Sequence, residues 1–227
     1  MKKQVFYTEA AYIVGLALLA LSAAMMAASD FGVSMVVAPA YILHLEISQY
    51  LPFFSFGMAE YTLQAVLLIL MVIILREFRL SFLFSFVTAV LYGFILDFFV
   101  FLVSFLPDGI LALRLALFIV GMLMGSAGVS MIFHTYIAPE VYELLVKEVS
   151  AKFRINIHKF KTAYDCSSLL LSVAMSFLFF GLWHFEGVKL GTFAVAALNG
   201  FLISRWTKLF ESLWDFKDAM KLRKYFQ

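Results

Sequence analysis

Apolar and polar positions in this chain fall into long blocks, not into the short alternations of a half-buried strand. Charge-poor apolar stretches run at roughly residues 10–29, 57–75, 80–106, 110–133, 162–183 and 188–204. About 20 helical residues cross about 30 Å of hydrocarbon, and all six stretches qualify within a few residues. A backbone in hydrocarbon must satisfy its own hydrogen bonds, so each stretch predicts a transmembrane helix. Charged residues gather in the links: Arg76, Glu77 and Arg79 between the second and third stretches, and the run from Glu140 to Lys161 between the fourth and fifth.

Composition fits that pattern. Of 227 residues, 64% are apolar and 14% charged, with a mean hydropathy of +0.97, so lipid has to cover most of the surface. The 27 Phe add little, since a large core would also use them. A single cysteine, Cys166, excludes an internal disulfide and a multi-cysteine metal site.

The net charge of +2 becomes informative only when mapped along the chain. With the N-terminus inside, every Lys and Arg except Arg114 and Lys189 falls on one side of the membrane. The positive-inside rule then places both termini in the cytoplasm. One competing reading concerns the start, where Lys2, Lys3, an apolar run and the Ala-rich stretch from Ala23 to Ser29 have the form of a cleavable secretory signal. Cleavage would leave five spans; an internal repeat argues that the first span is kept.

That repeat emerges when the chain is slid against itself. An offset of 107 lays Leu80–Asp97 on Gly187–Ser204 and matches Leu83, Phe86, Ala89, Leu91, Gly93 and Phe94 with identical residues. An offset of 106 pairs Gly15 with Gly121, and Gly32-Val33 with Ala138-Pro139. Two three-helix repeats, at about 10–106 and 110–206, follow. Because each holds an odd number of spans, the second copy is inverted, as in many secondary transporters.

Gly15, the sequence DFGVS at Asp30–Ser34, the Ala138-Pro139-Glu140 turn and the stretch from Gly191-Thr192-Phe193 to Gly200 resemble the YczE/YyaS/YitT-type family of small bacterial membrane proteins. The chain departs from a strict repeat of these motifs, with Phe84-Ser85 in place of Gly191-Thr192 and with Pro39 later than Pro139 would predict. The resemblance implies a six-span bacterial inner-membrane protein, of a kind often described as a transporter or permease without a defined substrate.

Ionisable groups inside spans are functional candidates, because hydrocarbon makes them costly. Asp97 lies one turn past Gly93 and reads either as a pathway acid facing the bundle interior or as an acid at the membrane interface. Glu60 and Asp165 each open a span. They read either as carboxylates stabilising a helix N-terminus or as gating and proton-accepting acids, Glu60 with Asp97 on the outer side and Asp165 on the inner. Near the midplane, Tyr92-Gly93 and Asn199-Gly200 are repeat counterparts, suited to a shared substrate site or to ordinary interhelical packing. Ala20, Ala24 and Ala28, with Gly121 and Gly125, form small-residue faces on the first and fourth spans, fit for packing those helices together.

After Pro139, the residues Val141, Leu144, Leu145, Val149 and Phe153 recur at helical spacing among charges and predict an amphipathic cytoplasmic helix. A second such helix, at about Lys208–Phe226, forms a basic tail over 207–227. Both suit anionic lipid, or a protein partner. His44, His134, His158 and His184 are scattered, and metalloprotease, CxxC, Walker and dinucleotide patterns are missing. We therefore expect one all-α membrane domain over 1–227 that needs no metal, cofactor or nucleic acid. As a non-enzyme it would act as a secondary transporter of a small solute, with proton coupling as an option. The alternative is a membrane subunit or binding component that works with a partner protein.

Overall fold

The computed structural model describes residues 3–107, 109–183 and 185–220. In it the chain forms β1 (Gln4–Tyr7), α1 (Thr8–Ser29), α2 (Ala38–Ile47), α3 (Phe56–Leu75) and α4 (Leu80–Val103). There follow α5 (Leu111–Phe133), α6 (Val141–Lys152), α7 (Ile157–Phe180), α8 (Leu190–Leu213) and β2 (Trp214–Lys217). An order of long, short, long and long helices thus occurs twice.

Among the described residues, five helices are long and apolar enough to cross a membrane: α1, α3, α4, α5 and the Lys159–Phe180 part of α7. Exposed Leu170, Leu178, Leu190 and Phe193 are at home against lipid. The protein is a multi-pass helical membrane protein. The expected sixth span maps to α8, which is as long as α4 but carries Asn199, Arg205, Lys208 and Glu211 and falls short of the others in apolarity. It also runs through Leu213, well past the predicted end at 204.

The axis of the bundle is the antiparallel pair α1 and α5. Gly15 lies against Gly128, and Gly121 and Gly125 lie against Ser22. These small residues bring the backbones together, as expected for the first and fourth spans, although the α1 side of the contact is Gly15 and Ser22. Ala20 and Ala24 instead pack in a cluster with Tyr92 and Leu96 of α4. Beyond this pair, α4 covers α1 and α8 covers α5.

Two short helices fill the space between the long ones. In the link after α5, Ala138 reaches inward to accept a hydrogen bond from Thr88 Oγ1 at 3.0 Å, and Thr88 also bonds the Tyr12 hydroxyl at 2.8 Å. Helix α6 begins beside the middle of α3, where Gln64 Oε1 accepts from Val141 N at 3.0 Å, and ends where Lys152 Nζ meets the Leu75 carbonyl at the end of α3. It therefore starts halfway along the bundle and returns to the face it came from. Helix α2 has Pro39 in its first turn, where proline's missing N–H costs nothing, and does the same against α7. Ser168 Oγ donates to Met35 O at 2.9 Å in mid-helix, while Tyr41 and Ile42 lie against Gly187, beyond the end of α7.

Two sequence expectations change here. The amphipathic α6 forms over the predicted residues, but its apolar face is buried against protein: Val141, Leu144, Leu145 and Val149 cluster with Leu68, Met71, Leu75 and Phe82. The basic tail does not start a new helix at Lys208. Helix α8 ends at Leu213, and Trp214–Lys217 pairs in parallel with Gln4–Tyr7; Phe6 stacks on Trp214 there, 4.7 Å between ring centroids. Residues 221–227, which hold the rest of that predicted helix and the end of the tail, lie outside the described residues, as do Lys2 and His184. Helix α2 carries no sequence expectation at all.

Candidate functional site

Glu60 is the focus of the most polar part of the interior. It lies on the face of α3 that α6 covers and is fully buried, as is Gln64 one turn on. The Tyr142 hydroxyl donates to Glu60 Oε2 at 2.6 Å. Gln64 Nε2 donates to Glu140 Oε2 at 3.1 Å, while its carbonyl is taken by Val141 N. Glu60 Oε1 is buried and has no hydrogen-bond partner among the described residues. Glu140 and Tyr92 both lie within electrostatic reach of Glu60. Two carboxylates, an amide and two phenols thus converge where α6 begins.

The lysine nearest this cluster is already committed. Lys161 Nζ sits 3.3 Å from Glu143 Oε1 and 3.1 Å from Asp165 Oδ1. Asp165 is therefore paired one turn along α7, and it is not in the first turn as expected, because α7 starts at Ile157. Glu60 likewise lies beyond the first turn of α3, and its carboxylate turns to Tyr142 and not to free N–H groups.

The acid that caps a helix N-terminus is Asp97. Its Oδ1 accepts from Gly57 N at 2.7 Å and its Oδ2 from Ser55 Oγ at 2.6 Å, and Ser55 Oγ itself accepts from Met58 N. Free N–H groups and the helix dipole favour a carboxylate at that place. Gly93 packs against Gly57, so Asp97 and Gly93 together lock α4 to the start of α3.

Tyr92 and Asn199 come together. Both line a central cavity of about 80 Å³ between α1, α4, α5, α8 and the link before α2, with Ser22, Ser34, Gly125 and Ser126. None of its lining residues among those described is Asp, Glu, Lys, Arg or His. Gly200, which the sequence offset aligns with Gly93, has no atom of the described residues within 4 Å of where its Cβ would be. A wider cleft of about 220 Å³ lies at the C-terminal end of α1, rimmed by Asp30, Pro107 and Arg114.

Sequence reasoning selected Glu60 but not Glu140, Gln64 or Tyr142. Glu140 sits in a polar run that reads as a surface link. The available signal was Pro139, which together with Pro39 marks where each short helix starts.

No curated protein and no solved structure matches the chain. A family model does, over residues 6–208, and it is not one that carries the YczE, YyaS or YitT name. The chain belongs to the family described as "Family of unknown function (DUF6198)".

Proposed function

We propose that the protein is a secondary transporter of a small uncharged solute, built from two inverted repeats, α1–α4 and α5–α8, with α8 as the sixth span. Both termini lie in the cytoplasm and the bilayer is the bacterial inner membrane, as charge placement and the YczE-type resemblance suggest. Several contacts support the repeat. Under the offset of 106, the Gly15 and Gly128 contact maps onto Gly121 and Ser22, which also touch. The pairing of α6 with α3 maps onto that of α2 with α7. Under the offset of 107, Ser85 and Thr192 correspond, and both are fully buried. Short helices that begin halfway through a bundle are a recurring way of building a midplane binding site.

The observation that carries the reading is an inequality between equivalent places. In the first repeat α3 and α4 are locked by Gly57 with Gly93 and by Asp97 with Ser55. In the second, Gly200 is open, and α7 and α8 make at most a grazing contact among the described residues. Alternating access needs such inequality, because one repeat closes where the other opens. With the termini inside, this is a state closed outward and parted inward, and Asn199 lies beside the parting. The uncharged lining of the cavity sets the solute class, since an unpaired charge there would be costly.

The rival reading, a membrane subunit docked through amphipathic helices, loses support because the apolar face of α6 is already covered. The test places Asn199→Cys in a Cys166→Ser background in liposomes, with a membrane-impermeant thiol reagent applied from each side. We expect labelling from the cytoplasmic side, slowed by any small uncharged solute the protein moves. Labelling from the outer side alone, or failure of every such solute in the panel to enter or protect, would overturn the proposal.

A further inference from the structure

Neighbouring carboxylates in a protein interior, Glu60 fully buried and Glu140 partly so, need a positive charge close by. Isolated ions in an apolar interior are costly and like charges oppose one another. Glu60 and Glu140 have no basic partner among the described residues: Lys161 is engaged by Glu143 and Asp165. The titratable groups that face the pair are Tyr92 from α4, Tyr142 and Glu143 from α6, Tyr164 from α7 and, toward Glu140, Tyr12 from α1 and Lys161 from α7. Neither a tyrosine hydroxyl nor the Gln64 amide carries a positive charge; the amide bonds Glu140 and Val141 and lies within reach of Glu60.

Geometry indicates where the missing charge goes. Tyr142 occupies one oxygen of Glu60 and leaves Oε1 buried and bare. Among the described residues no three His, Cys, Asp or Glu side chains are grouped to hold a metal cation, and this pair supplies only two carboxylates. A metal here would also lie at the start of α6, where helix N–H groups point outward and repel a cation. A proton needs one oxygen and adds no such repulsion.

We infer that Glu60 and Glu140, held by Tyr142 and Gln64 at the start of α6, form a proton-carrying site that loads one proton shared by the two carboxylates. The inference rests on the transporter reading, for which it names the coupling ion. In solute movement driven by a proton gradient, the site binds a proton on one side of the cycle and releases it on the other. It differs from the expected acid pair of Glu60 and Asp97, since Asp97 is used in holding α3.

The experiment has two arms. Infrared difference spectra of the full-length protein in detergent at neutral pH should show a protonated-carboxyl band that Glu60→Gln or Glu140→Gln diminishes and Asp97→Asn leaves in place. In liposomes, the Glu60→Gln variant should lose at least tenfold in accumulation driven by a pH gradient, read as the ratio to its own solute exchange at equal concentrations. The Glu140→Gln variant, which retains an acceptor for Gln64, guards against a loss that reflects misfolding. A band unaffected by either variant, a band abolished by sodium, or unchanged gradient-driven accumulation would overturn the site. Absence of exchange by the wild-type protein would count against the transporter reading instead, and the infrared arm would still decide the proton.

Discussion

Gly15 and Gly128 face each other so closely that neither tolerates a side chain: a Cβ on Gly128 would lie 2.8 Å from the Gly15 carbonyl oxygen, and one on Gly15 would lie 3.1 Å from that of Gly128. Both obstacles are backbone, which cannot swing aside. The crossing of the two axial helices therefore depends on this pair.

Gly128→Ala should accordingly lower stability by about 1–3 kcal/mol, the usual cost of overpacking. Gly200→Ala, with open space around it, should be neutral or gain up to about 1 kcal/mol from helix propensity. Thermal unfolding of the two variants in one detergent checks the contrast. Equal effects would mean that α1 and α5 are not packed as described.

Gly32 has φ +106°, and its Cβ would meet Thr192 Oγ1 at 2.5 Å and Lys189 N at 2.9 Å. Gly32→Ala adds backbone strain of about 1–3 kcal/mol to that clash. Pairing it with Thr192→Ala should recover part of the loss and not all of it, because the strain remains. Unfolding temperatures of the single and double variants decide.

Asp97 serves as a cap. Asp97→Ala should cost about 1–3 kcal/mol by stranding the Gly57 N–H and the Ser55 hydroxyl, and Asp97→Asn should cost less because it still accepts. Hydrogen exchange should rise at the start of α3 in the Ala variant. Full stability with Ala would return Asp97 to the list of pathway acids.

Tyr142→Phe removes the hydroxyl that serves Glu60. We expect a loss of about 1–3 kcal/mol, and a double-mutant cycle with Glu60→Gln should give a coupling of about 0.5–3 kcal/mol. Additive effects in thermal unfolding would show that the bond carries no stability.

Arg114 and Lys189, the basic residues that charge mapping leaves on the outer side, converge on Asp30, at 2.9 and 2.5 Å. Both pairs are partly exposed, so each contributes about 0–1 kcal/mol and fades with salt. Arg114→Ala should nevertheless cost more than Lys189→Ala, because Arg114 Nε also donates to Ser29 O at 2.8 Å, near the end of α1. Unfolding at low and high salt separates the salt-sensitive part from the cap.

The sequence by itself determined the long helices, because an apolar run that must satisfy its own backbone has one local solution. It also determined α6, through its helical spacing. Only the tertiary structure decided what covers each face. Periodicity marks a helix face as apolar but cannot tell lipid from protein, so the face of α6 that reads as membrane-seeking is spent on α3. Glu140 reads as a surface residue because its link bends inward only when Thr88 takes the Ala138 carbonyl, fifty positions away. Asp97 and Ser55, forty-two apart, make the same point. Hydrogen bonds between distant segments, not local propensity, separate the acid that holds a helix, Asp97, from the pair Glu60 and Glu140.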